Sequence, residues 1–512
     1  MTARPAPPPP RFNIARYCLA PAANRPAAKT ALIIDGGEQG ARRWTYGQLD
    51  RMVRSVARGL RERGLPTGAR LMIRMDNDLG YVLAFFAAMA AGLVPLPSSA
   101  ALTAEEAEFL LLDSGAAAIA LSDDLPLEHD LPPGVMVLRA EDIDRLAAGE
   151  PAADYAHTAA DDPAFLIYTS GTVGRPKGVL HAQRSAWGRR PMYEEWYGIG
   201  EADVVLHAGA FNWTYTLGVG LVDPWANGAT AVLYNGPADP AVWPRLIERH
   251  RVTIFATVPS LYRRILKYAC IGREAIGSLR HGLTAGEALP PGLLDAWRAA
   301  TGCELYEALG MSEISTYVST GPGMAIRPGS PGRPQSGRRV AILAADEDAP
   351  RLLPPGETGL LAVHRSDPGL MLGYWGRPEE EALVFRGDWF CGGDLAHIDD
   401  DGYVWYHGRH DDILNPMGYR LSPLEIERVL AQHPVVQDVA VGELSVAEGV
   451  SILAAFVVPN GVADEATDGV ALLAWAGQHL AAYKRPRRVV FVEQLPRTRS
   501  GKLLRRELPQ QA

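Results

Sequence analysis

Cysteine is scarce in this sequence, and its four residues lie far apart: Cys18, Cys270, Cys303 and Cys391. None of them forms a Cys-x-x-Cys pair, so their spacing supports neither a zinc site nor a disulfide framework. A reducing compartment agrees with this usage, and we expect a cytoplasmic protein. The first ten residues, MTARPAPPPP, contain no apolar stretch typical of a secretory signal. Their prolines predict a solvated polyproline tail instead.

Positive charge is in deficit, because 50 Lys and Arg residues stand against 59 Asp and Glu residues and give a net charge of -9. A nucleic-acid-binding protein usually carries a basic surface, so this class is disfavoured. Long hydrophobic runs are also missing. The most apolar stretch, Tyr81–Val94, is too short for a membrane span and predicts a buried helix that runs into a strand.

Strand-like and helix-like periods alternate from about residue 29 onward. Residues 29–35 and 70–76 have the pattern of short strands, whereas residues 45–64 predict an amphipathic helix. Thr103 and Glu106 stand at the two positions of a capping box, which predicts the start of another helix. This alternation predicts an α/β fold with helices on the faces of a sheet.

A chain of 512 residues is too long for one ordinary core, so we expect two or more domains. The pattern changes near residue 394, where Asp401-Gly402 predicts a hairpin. Ser422 and Pro423 then mark a helix start. Strands over 435–441, 451–458 and 489–492 and a helix over 470–483 predict a compact α+β unit. We predict a lead-in over 1–28, a large domain over 29–410 and a small domain over 411–512.

A loop rich in glycine and hydroxyl groups follows the apolar run AFLIY: Tyr168-Thr-Ser-Gly-Thr-Val-Gly-Arg-Pro-Lys177-Gly178. Backbone N–H groups and hydroxyls in such a loop suit a phosphate chain, and Lys177 adds a cation. The GxxxxGK[ST] spacing of a Walker loop is missing. Taken by itself, the segment could also be an ordinary polar loop.

This loop resembles the phosphate-binding signature of the adenylate-forming superfamily, which includes acyl- and aryl-CoA synthetases, adenylation domains and luciferases. The resemblance extends from about residue 30 to the end and is nearest to medium-chain acyl-CoA synthetases and benzoate-CoA-type ligases. It implies a large multi-sheet domain that binds ATP and an acid, and a small α+β domain that rotates. The other similar segments, in order, are Thr284–Pro290, Tyr306–Glu313, Trp389–Leu395, Gly408–Asp412 and Pro496–Arg506.

The resemblance also implies roles for individual residues. Glu313 would hold Mg²⁺, and Lys177 would bind phosphate. Lys502 would be the catalytic lysine of adenylation, and Asp411 the hinge about which the small domain turns. Asp394 would bind the ribose hydroxyls. The nucleotide-binding set would be Thr169, Ser170, Gly171, Thr172, Gly174, Gly286, Glu287, Ala288, Tyr306, Glu307, Ala308, Leu309, Ser312, Asp394 and Arg409.

Three residues depart from the family pattern. Leu309 stands where the family often has Tyr, so the stacking contact to adenine is affected. Gly392 replaces a usual Thr, and Asn415 stands where many relatives have Lys. Without the resemblance, the same segments read as a turn before a helix, a solvated carboxylate and a basic tail.

The segment Phe211-Asn212-Trp213, followed by Pro224-Trp225 and Gly228, resembles the acid pocket of short- and medium-chain synthetases and benzoate-type ligases. Trp213 is expected as a pocket wall, with Asn212 and Gly310 as further pocket residues; a plain core tryptophan is the alternative. A bulky wall favours a compact acid over a long chain. The loop containing Gly418, Tyr419 and Arg420 would border the CoA tunnel.

The resemblance therefore implies an ATP-dependent carboxylic acid:CoA ligase that forms an acyl-adenylate and releases pyrophosphate and AMP. ATP, Mg²⁺ and coenzyme A would take part. The acid would be of short or medium chain length, or a compact aromatic or alicyclic acid. Two alternatives are a ligase that loads the phosphopantetheine of a carrier protein and a non-catalytic nucleotide-binding regulator. We expect neither a nucleic-acid partner nor a membrane span. A homodimer is one possible oligomeric state.

Overall fold

The computed structural model describes residues 7–125, 131–169, 176–237, 239–274, 276–347, 349–410, 414, 423–447, 450–480, 484–497 and 503–511. These residues group into two compact units. The first comprises Met1–Val340 and Val363–Phe390, and the second comprises Ala341–Ala362 and Cys391–Ala512. Both units contain helices and sheets, as predicted. The domain boundary at residue 410 remains a prediction, because residues 411–413 and 415–422 lie outside the described residues.

A nine-stranded sheet dominates the first unit. Its six inner strands are parallel, and antiparallel strands close both sides. Ligands of open α/β sheets bind beyond the carboxyl ends of parallel strands, so this edge is where a site is expected. The order across the sheet is Arg333–Pro334, Ser315–Ser319, Glu304–Met311, His281–Ala285, Ile254–Thr257, Val204–His207, Thr230–Tyr234, Thr30–Asp35 and Ala41–Thr45.

Two smaller sheets belong to the same unit. One is wholly parallel, and the other is an antiparallel hairpin with a short third strand. The parallel sheet has the order Val94–Ser98, Arg70–Arg74, Ala118–Leu121 and Met136–Arg139. The antiparallel sheet has the order Gly373–Tyr374, Lys177–Ala182 and Pro163–Thr169. The short strand Phe385–Arg386 is not part of it and pairs with Trp389 and Phe390.

The helices of the first unit follow the sequence signals. The helix Tyr46–Glu62 buries Leu49, Val53, Val56 and Leu60 on one face, as predicted. The helix Ala104–Ser114 begins at the predicted capping box, in which Thr103 and Glu106 bond to each other's backbone. The remaining α-helices among the described residues are Ile14–Leu19, Leu79–Ala90, Ala140–Ala147, Ser185–Gly188, Arg190–Met192, Thr214–Leu217, Asp223–Ala226, Val242–His250, Pro259–Tyr268, Pro291–Thr301 and Pro378–Leu383.

The most apolar stretch of the sequence forms the buried helix Leu79–Ala90 and the buried strand Val94–Ser98, as predicted. The helix packs against Tyr46–Glu62 at the centre of the largest apolar cluster. In the described part of the chain, no helix combines the length and the apolar character that a membrane crossing needs.

The second unit contains two sheets. Strands Trp389–Ile398 and Val404–Arg409 form the predicted hairpin, which turns at Gly402 with a φ of 83°. Strands Val340–Leu343 and Gly359–His364 extend that sheet. The other sheet has the order Val436–Ala447, Val450–Pro459 and Arg488–Phe491.

Two α-helices of the described residues pack on the second of these sheets, together with the short π-helix Glu465–Gly469 and the 3-10 helix Arg505–Gln511. The helix Pro423–Leu430 begins at the predicted proline, whereas Ser422 lies outside the described residues. The helix predicted over 470–483 is shorter than expected and spans Val470–His479. It ends there because Leu480 adopts an extended conformation, with a φ of -122° and a ψ of 145°.

Candidate active site

The antiparallel hairpin of the first unit carries the phosphate-loop motif. Thr169 ends one strand, Lys177 begins the next, and the two residues are paired across the hairpin. The loop residues Ser170, Gly171, Thr172 and Gly174 lie outside the described residues. The first strand is anchored at Tyr168, whose hydroxyl donates to Asp113 Oδ2 at 2.6 Å. The structure therefore fixes both ends of the loop, and Lys177 stands at its base.

Tyr374 connects the two residues expected to meet the phosphates and the metal. Its hydroxyl donates a hydrogen bond to Glu313 Oε1 at 2.7 Å. The ammonium of Lys177 lies 3.9 Å from the centroid of the Tyr374 ring, a distance at which a cation is attracted to the ring face. Lys177 and Glu313 are thus gathered around one buried aromatic side chain. We did not predict Tyr374, because no local pattern in the sequence marks it.

The turn that carries Glu313 is held at several backbone atoms. The neutral ring of His181 donates from Nε2 to the carbonyl oxygen of Ser312 at 2.8 Å, and burial lowers the pKa of His181 to about 4. The backbone N–H of Met371 donates to the carbonyl oxygen of Glu313 at 2.8 Å. Gly310 leaves room for the turn, since a methyl group there would lie 2.3 Å from the carbonyl oxygen of Ser315. Ser312 and Glu313 are consequently presented on a fixed backbone.

A buried ion pair also contacts the turn that carries Glu313. Arg189 donates to both carboxylate oxygens of Asp223, at 2.7 Å and 2.5 Å, and to the hydroxyl of Ser315. Ser315 has a φ of 73°, in the left-handed region that residues other than glycine rarely adopt. Burial by itself would lower the pKa of Arg189, but the charge and hydrogen bonds of Asp223 outweigh this effect, so the pKa of Arg189 is raised above its usual value. A charged Arg189 therefore stabilises the strained residue two positions after Glu313.

The predicted nucleotide loop follows the parallel strand His281–Ala285. Gly286 and Ala288 are exposed there, and Gly286 has a φ of 91°. Glu307, in the neighbouring strand, accepts a hydrogen bond from the backbone N–H of Leu289 at 2.9 Å. This bond fixes the loop against the strand that contains Tyr306, Ala308 and Leu309. Glu287 is half-buried and accepts from the hydroxyl of Ser260 at 3.4 Å.

Trp213 lies against this nucleotide loop. A methyl group on Gly286 would lie 3.0 Å from Cη2 of the Trp213 ring, so the two residues are in contact. Asn212 and Gly310 are half-buried. Trp225, in contrast, is fully buried in the main core, and its indole N–H donates to the carbonyl oxygen of Ala31 at 2.8 Å. Trp225 is thus a core residue, and the pocket roles of Asn212, Trp213 and Gly310 remain predictions.

In the second unit, the two strands of the hairpin bring Asp394 and Arg409 opposite each other. Nη1 of Arg409 lies 3.4 Å from Asp394 Oδ1 and donates to the carbonyl oxygen of Gly392 at 2.5 Å. Gly393 has a φ of 87°, and a methyl group there would lie 2.9 Å from Nη2 of Arg409. The two predicted nucleotide contacts of this unit therefore form one cluster of opposite charges.

Five further predicted residues lie outside the described residues: Lys502, Asp411, Gly418, Tyr419 and Arg420. The segments on both sides of Lys502 are described. Arg497 and Leu503 form an antiparallel bridge, and the N–H of Leu504 donates to the carbonyl oxygen of Pro496 at 2.8 Å. Leu508 is fully buried in the second unit. The chain that precedes and follows Lys502 is therefore tied to the small sheet.

A model of the AMP-binding enzyme family matches residues 19–375, and a model of the AMP-binding enzyme C-terminal domain matches residues 425–502. This chain belongs to the AMP-binding enzyme family. Benzoate–CoA ligase of Thauera aromatica is 33% identical over 503 residues, which cover 94% of this chain and 92% of that protein. 3-Hydroxybenzoate–CoA ligase of Aromatoleum sp. (strain CIB) is 31% identical over 478 residues, which cover 91% of each protein.

A solved structure agrees with these relatives. The benzoate CoA ligase from Burkholderia xenovorans LB400 has a TM-score of 0.87 and 32% identity, and the match covers 97% of this chain and 100% of that chain. The predicted superfamily and fold class are confirmed. This AMP-binding enzyme is an AMP-forming acid–thiol ligase.

Proposed function

We propose that this AMP-binding enzyme joins a compact aromatic or alicyclic acid, or one of short to medium chain length, to coenzyme A. The observation that carries the proposal is the arrangement of Lys177, Tyr374 and Glu313 in the unit that also contains Gly286 and Trp213. A cation and a metal-binding carboxylate suit a triphosphate. The indole of Trp213 beside Gly286 supplies an apolar wall for a flat or short acyl group. The names of the benzoate and 3-hydroxybenzoate ligases support an aromatic acid.

The first half-reaction needs positioning and charge neutralisation. The acid is already ionised at neutral pH, so no general base is required. One carboxylate oxygen attacks the α-phosphorus, the P–O bond to the β-phosphate breaks, and pyrophosphate leaves with the bonding electrons. Lys177 neutralises the phosphates, and Lys502 is assigned to the charge that develops between carboxylate and α-phosphate.

The donor set of the site suits magnesium. In the described part of the chain, no cluster of three His, Cys, Asp or Glu side chains could hold a metal. Glu313 meets Lys177 through Tyr374, and a second carboxylate, Oε2 of Glu380, lies 3.9 Å from the ammonium of Lys177. Mg²⁺ is commonly held by one or two carboxylates together with substrate phosphates and water, which matches a single Glu313. When bound, the ion would neutralise phosphate charge. Tyr374 fixes the carboxylate through its bond to Oε1.

The second half-reaction forms the thioester. The thiol sulfur of coenzyme A attacks the acyl carbon, the thiol proton is released, and the C–O bond to phosphate breaks so that AMP leaves. We assign Asp411 as the hinge that removes Lys502 from the site between the two steps, and Gly418, Tyr419 and Arg420 as the border of the thiol tunnel. A hinge needs only a few residues that absorb the backbone rotation.

Pyrophosphate and AMP release test the proposal. The purified enzyme is supplied with ATP, Mg²⁺ and one acid from a panel, with and without coenzyme A. The panel contains acetate, butyrate, hexanoate, cyclohexanecarboxylate, benzoate and hydroxycinnamates. Turnover that requires both an acid and coenzyme A supports the proposal. Pyrophosphate release without CoA-dependent turnover would instead indicate a carrier-protein acceptor, and no release with any acid would contradict the proposed substrate class.

A further inference from the structure

Two buried polar side chains near Trp213 lack partners. His207, the last residue of a parallel strand, is 2% exposed, and Thr216 is 0% exposed. Both ring nitrogens of His207 and the hydroxyl oxygen of Thr216 are buried, and none of these three atoms forms a hydrogen bond with the described residues. Buried polar groups are nearly always paired, since each unmet group loses its hydration without replacement. A partner absent from the chain itself is therefore expected at this place.

Both side chains face Gly209 at close range. A methyl group built on Gly209 would lie 2.3 Å from Thr216 Oγ1 and 3.0 Å from His207 Nδ1. The loop around Gly209 is fixed by Asn77, which donates to the carbonyl oxygen of Gly209 at 2.8 Å and accepts from the N–H of Phe211 at 2.9 Å. Gly209 and its anchored loop thus pack against both polar groups at one point, where no larger residue fits.

The strand register places this point on the face of the sheet that carries the site. His207 is paired with Ala256 on the neighbouring strand. Ala256 is paired with Leu283, and Leu283 with Tyr306, on the next two strands. Side chains that are paired across neighbouring strands point to the same face. His207 consequently shares a face with Tyr306, a residue of the nucleotide segment.

Aromatic contacts lead from His207 to the predicted pocket wall. The ring centroid of His207 is 4.6 Å from that of Tyr215, and the centroid of Tyr215 is 5.2 Å from that of Trp213. Trp213 in turn contacts Gly286. A continuous wall therefore runs from the nucleotide loop to His207 and Thr216, and these two residues lie at its far end.

The chemistry of the two groups defines what they could bind. Burial lowers the pKa of His207 to about 3, so the ring is neutral at physiological pH and offers one donor and one acceptor. The hydroxyl of Thr216 can also donate or accept. Neither group carries charge, which disfavours a second carboxylate on the acid. A hydroxyl or amino group satisfies both residues, whereas a methyl group satisfies neither.

We propose that His207 and Thr216 close the far end of the acid-binding pocket and select an acid that bears a hydroxyl or amino substituent away from its carboxylate. The inference rests on the proposed function, because it assigns the far end of the same pocket. It narrows the substrate class from compact acids in general to compact acids with one uncharged polar substituent.

Matched acids test the inference. The values of kcat/KM are measured from pyrophosphate release for benzoate, the 2-, 3- and 4-hydroxy- and aminobenzoates, and the corresponding methylbenzoates. Methyl and hydroxyl groups have similar size, so their ratio reports hydrogen bonding. For one ring position we expect the hydroxy or amino acid to exceed its methyl analogue about 10- to 100-fold, because the methyl acid leaves both protein groups unpaired. Cyclohexanecarboxylates with the same substituents extend the panel to alicyclic acids.

Variants connect the preference to the two residues. Thr216→Val removes the hydroxyl at nearly constant volume and should reduce the polar-to-methyl ratio about tenfold, whereas Thr216→Ser should retain it. His207→Phe removes both ring nitrogens and should reduce the polar-to-methyl ratio independently of Thr216. Thr301→Val is the matched control, because Thr301 is equally buried and its hydroxyl bonds to the carbonyl oxygen of Trp297. The control should affect stability and leave the ratio unchanged.

The outcomes separate this inference from the proposed function. An enzyme that uses polar and methyl acids equally well would overturn the inference and leave the ligase function intact, and buried water would then be the missing partner. A preference that survives both Thr216→Val and His207→Phe would also overturn it. An enzyme that activates none of the acids would remove the proposed substrate class together with the inference.

Discussion

Replacing Tyr374 with phenylalanine removes one oxygen atom from the candidate active site and keeps the ring that contacts Lys177. The lost hydroxyl donates to Glu313 Oε1 at 2.7 Å. A hydrogen bond to a charged group contributes about 1.5–3 kcal/mol to stability. Glu313 is half-buried, and water can replace part of the bond, so we expect the lower end of that range. About 1.4 kcal/mol corresponds to a tenfold loss of kcat/KM for ATP.

The assay measures pyrophosphate release at saturating acid while ATP and Mg²⁺ are varied. Calorimetric titration of Mg²⁺ into enzyme with ATP gives a readout that is independent of turnover. Tyr374→Phe should weaken the Mg²⁺-dependent binding of ATP. Tyr374→Leu should weaken it further, since the attraction between a cation and a ring contributes about 0.5–1 kcal/mol at exposed sites and about 2 kcal/mol when desolvated, and the Tyr374 ring is buried.

Tyr155→Phe is the matched control for this prediction. The hydroxyl of Tyr155 donates to Asp50 Oδ1 at 2.5 Å, so the substitution removes a comparable tyrosine–carboxylate bond within the main core. It should lower thermal stability without changing the dependence on Mg²⁺. If Tyr374→Phe kept the wild-type dependence on ATP and Mg²⁺, or behaved like Tyr155→Phe, the proposed role of Tyr374 in positioning Glu313 would be refuted.

Three further predictions concern other parts of the enzyme. Lys502→Ala should abolish pyrophosphate release from ATP and acid but spare thioester formation from pre-made acyl-adenylate; equal loss of both half-reactions would contradict the proposed division of labour. Gly286→Ala should weaken ATP binding about tenfold, because an unfavourable backbone conformation costs about 1–3 kcal/mol and the methyl group would meet Trp213 at 3.0 Å. Fluorescence titration with ATP measures the effect, and Gly272→Ala, which meets nothing within 4 Å, is the control. Resistance to urea should fall between pH 6.5 and 4, because burial lowers the pKa values of His207 and His281 to about 3 and about 4. The unfolded chain then binds more protons than the folded one, and each histidine removes about 2 kcal/mol of unfolding free energy by pH 5. The unfolding free energy of the variant His281→Gln should depend correspondingly less on pH. An unchanged dependence of unfolding free energy on pH would refute the lowered pKa of His281.

Local signals in the sequence predict the elements that local forces determine. The capping box of Thr103 and Glu106 is satisfied within four residues, so it can be read without knowledge of the fold. The turn at Asp401-Gly402 depends in the same way on the conformational freedom of one glycine. The end of the helix that stops at His479 was missed, because Leu480 turns away although its apolar side chain fits the helical pattern.

Contacts between distant segments could not be read in this way. Tyr374 and Glu313 are 61 positions apart, and nothing in the local sequence of either residue indicates the other. The apolar pattern around Trp225 is compatible with a pocket or a core, and only the packing against Phe86 and the bond to Ala31 decide between them. The phosphate-loop motif was recognised because its chemistry is contained in eleven consecutive residues.

The buried pair of Arg189 and Asp223 restricts how this enzyme can vary. Removing one member of a buried ion pair costs about 3–5 kcal/mol, whereas replacing both with apolar residues of similar volume is often neutral. Here Arg189 also holds Ser315 in its left-handed conformation, and Gly218 leaves the space that the guanidinium occupies. Among relatives, positions 189, 218, 223 and 315 should therefore change together or not at all. A single exchange at any of them would first appear as an active-site defect, although none of the four residues needs to touch the substrate.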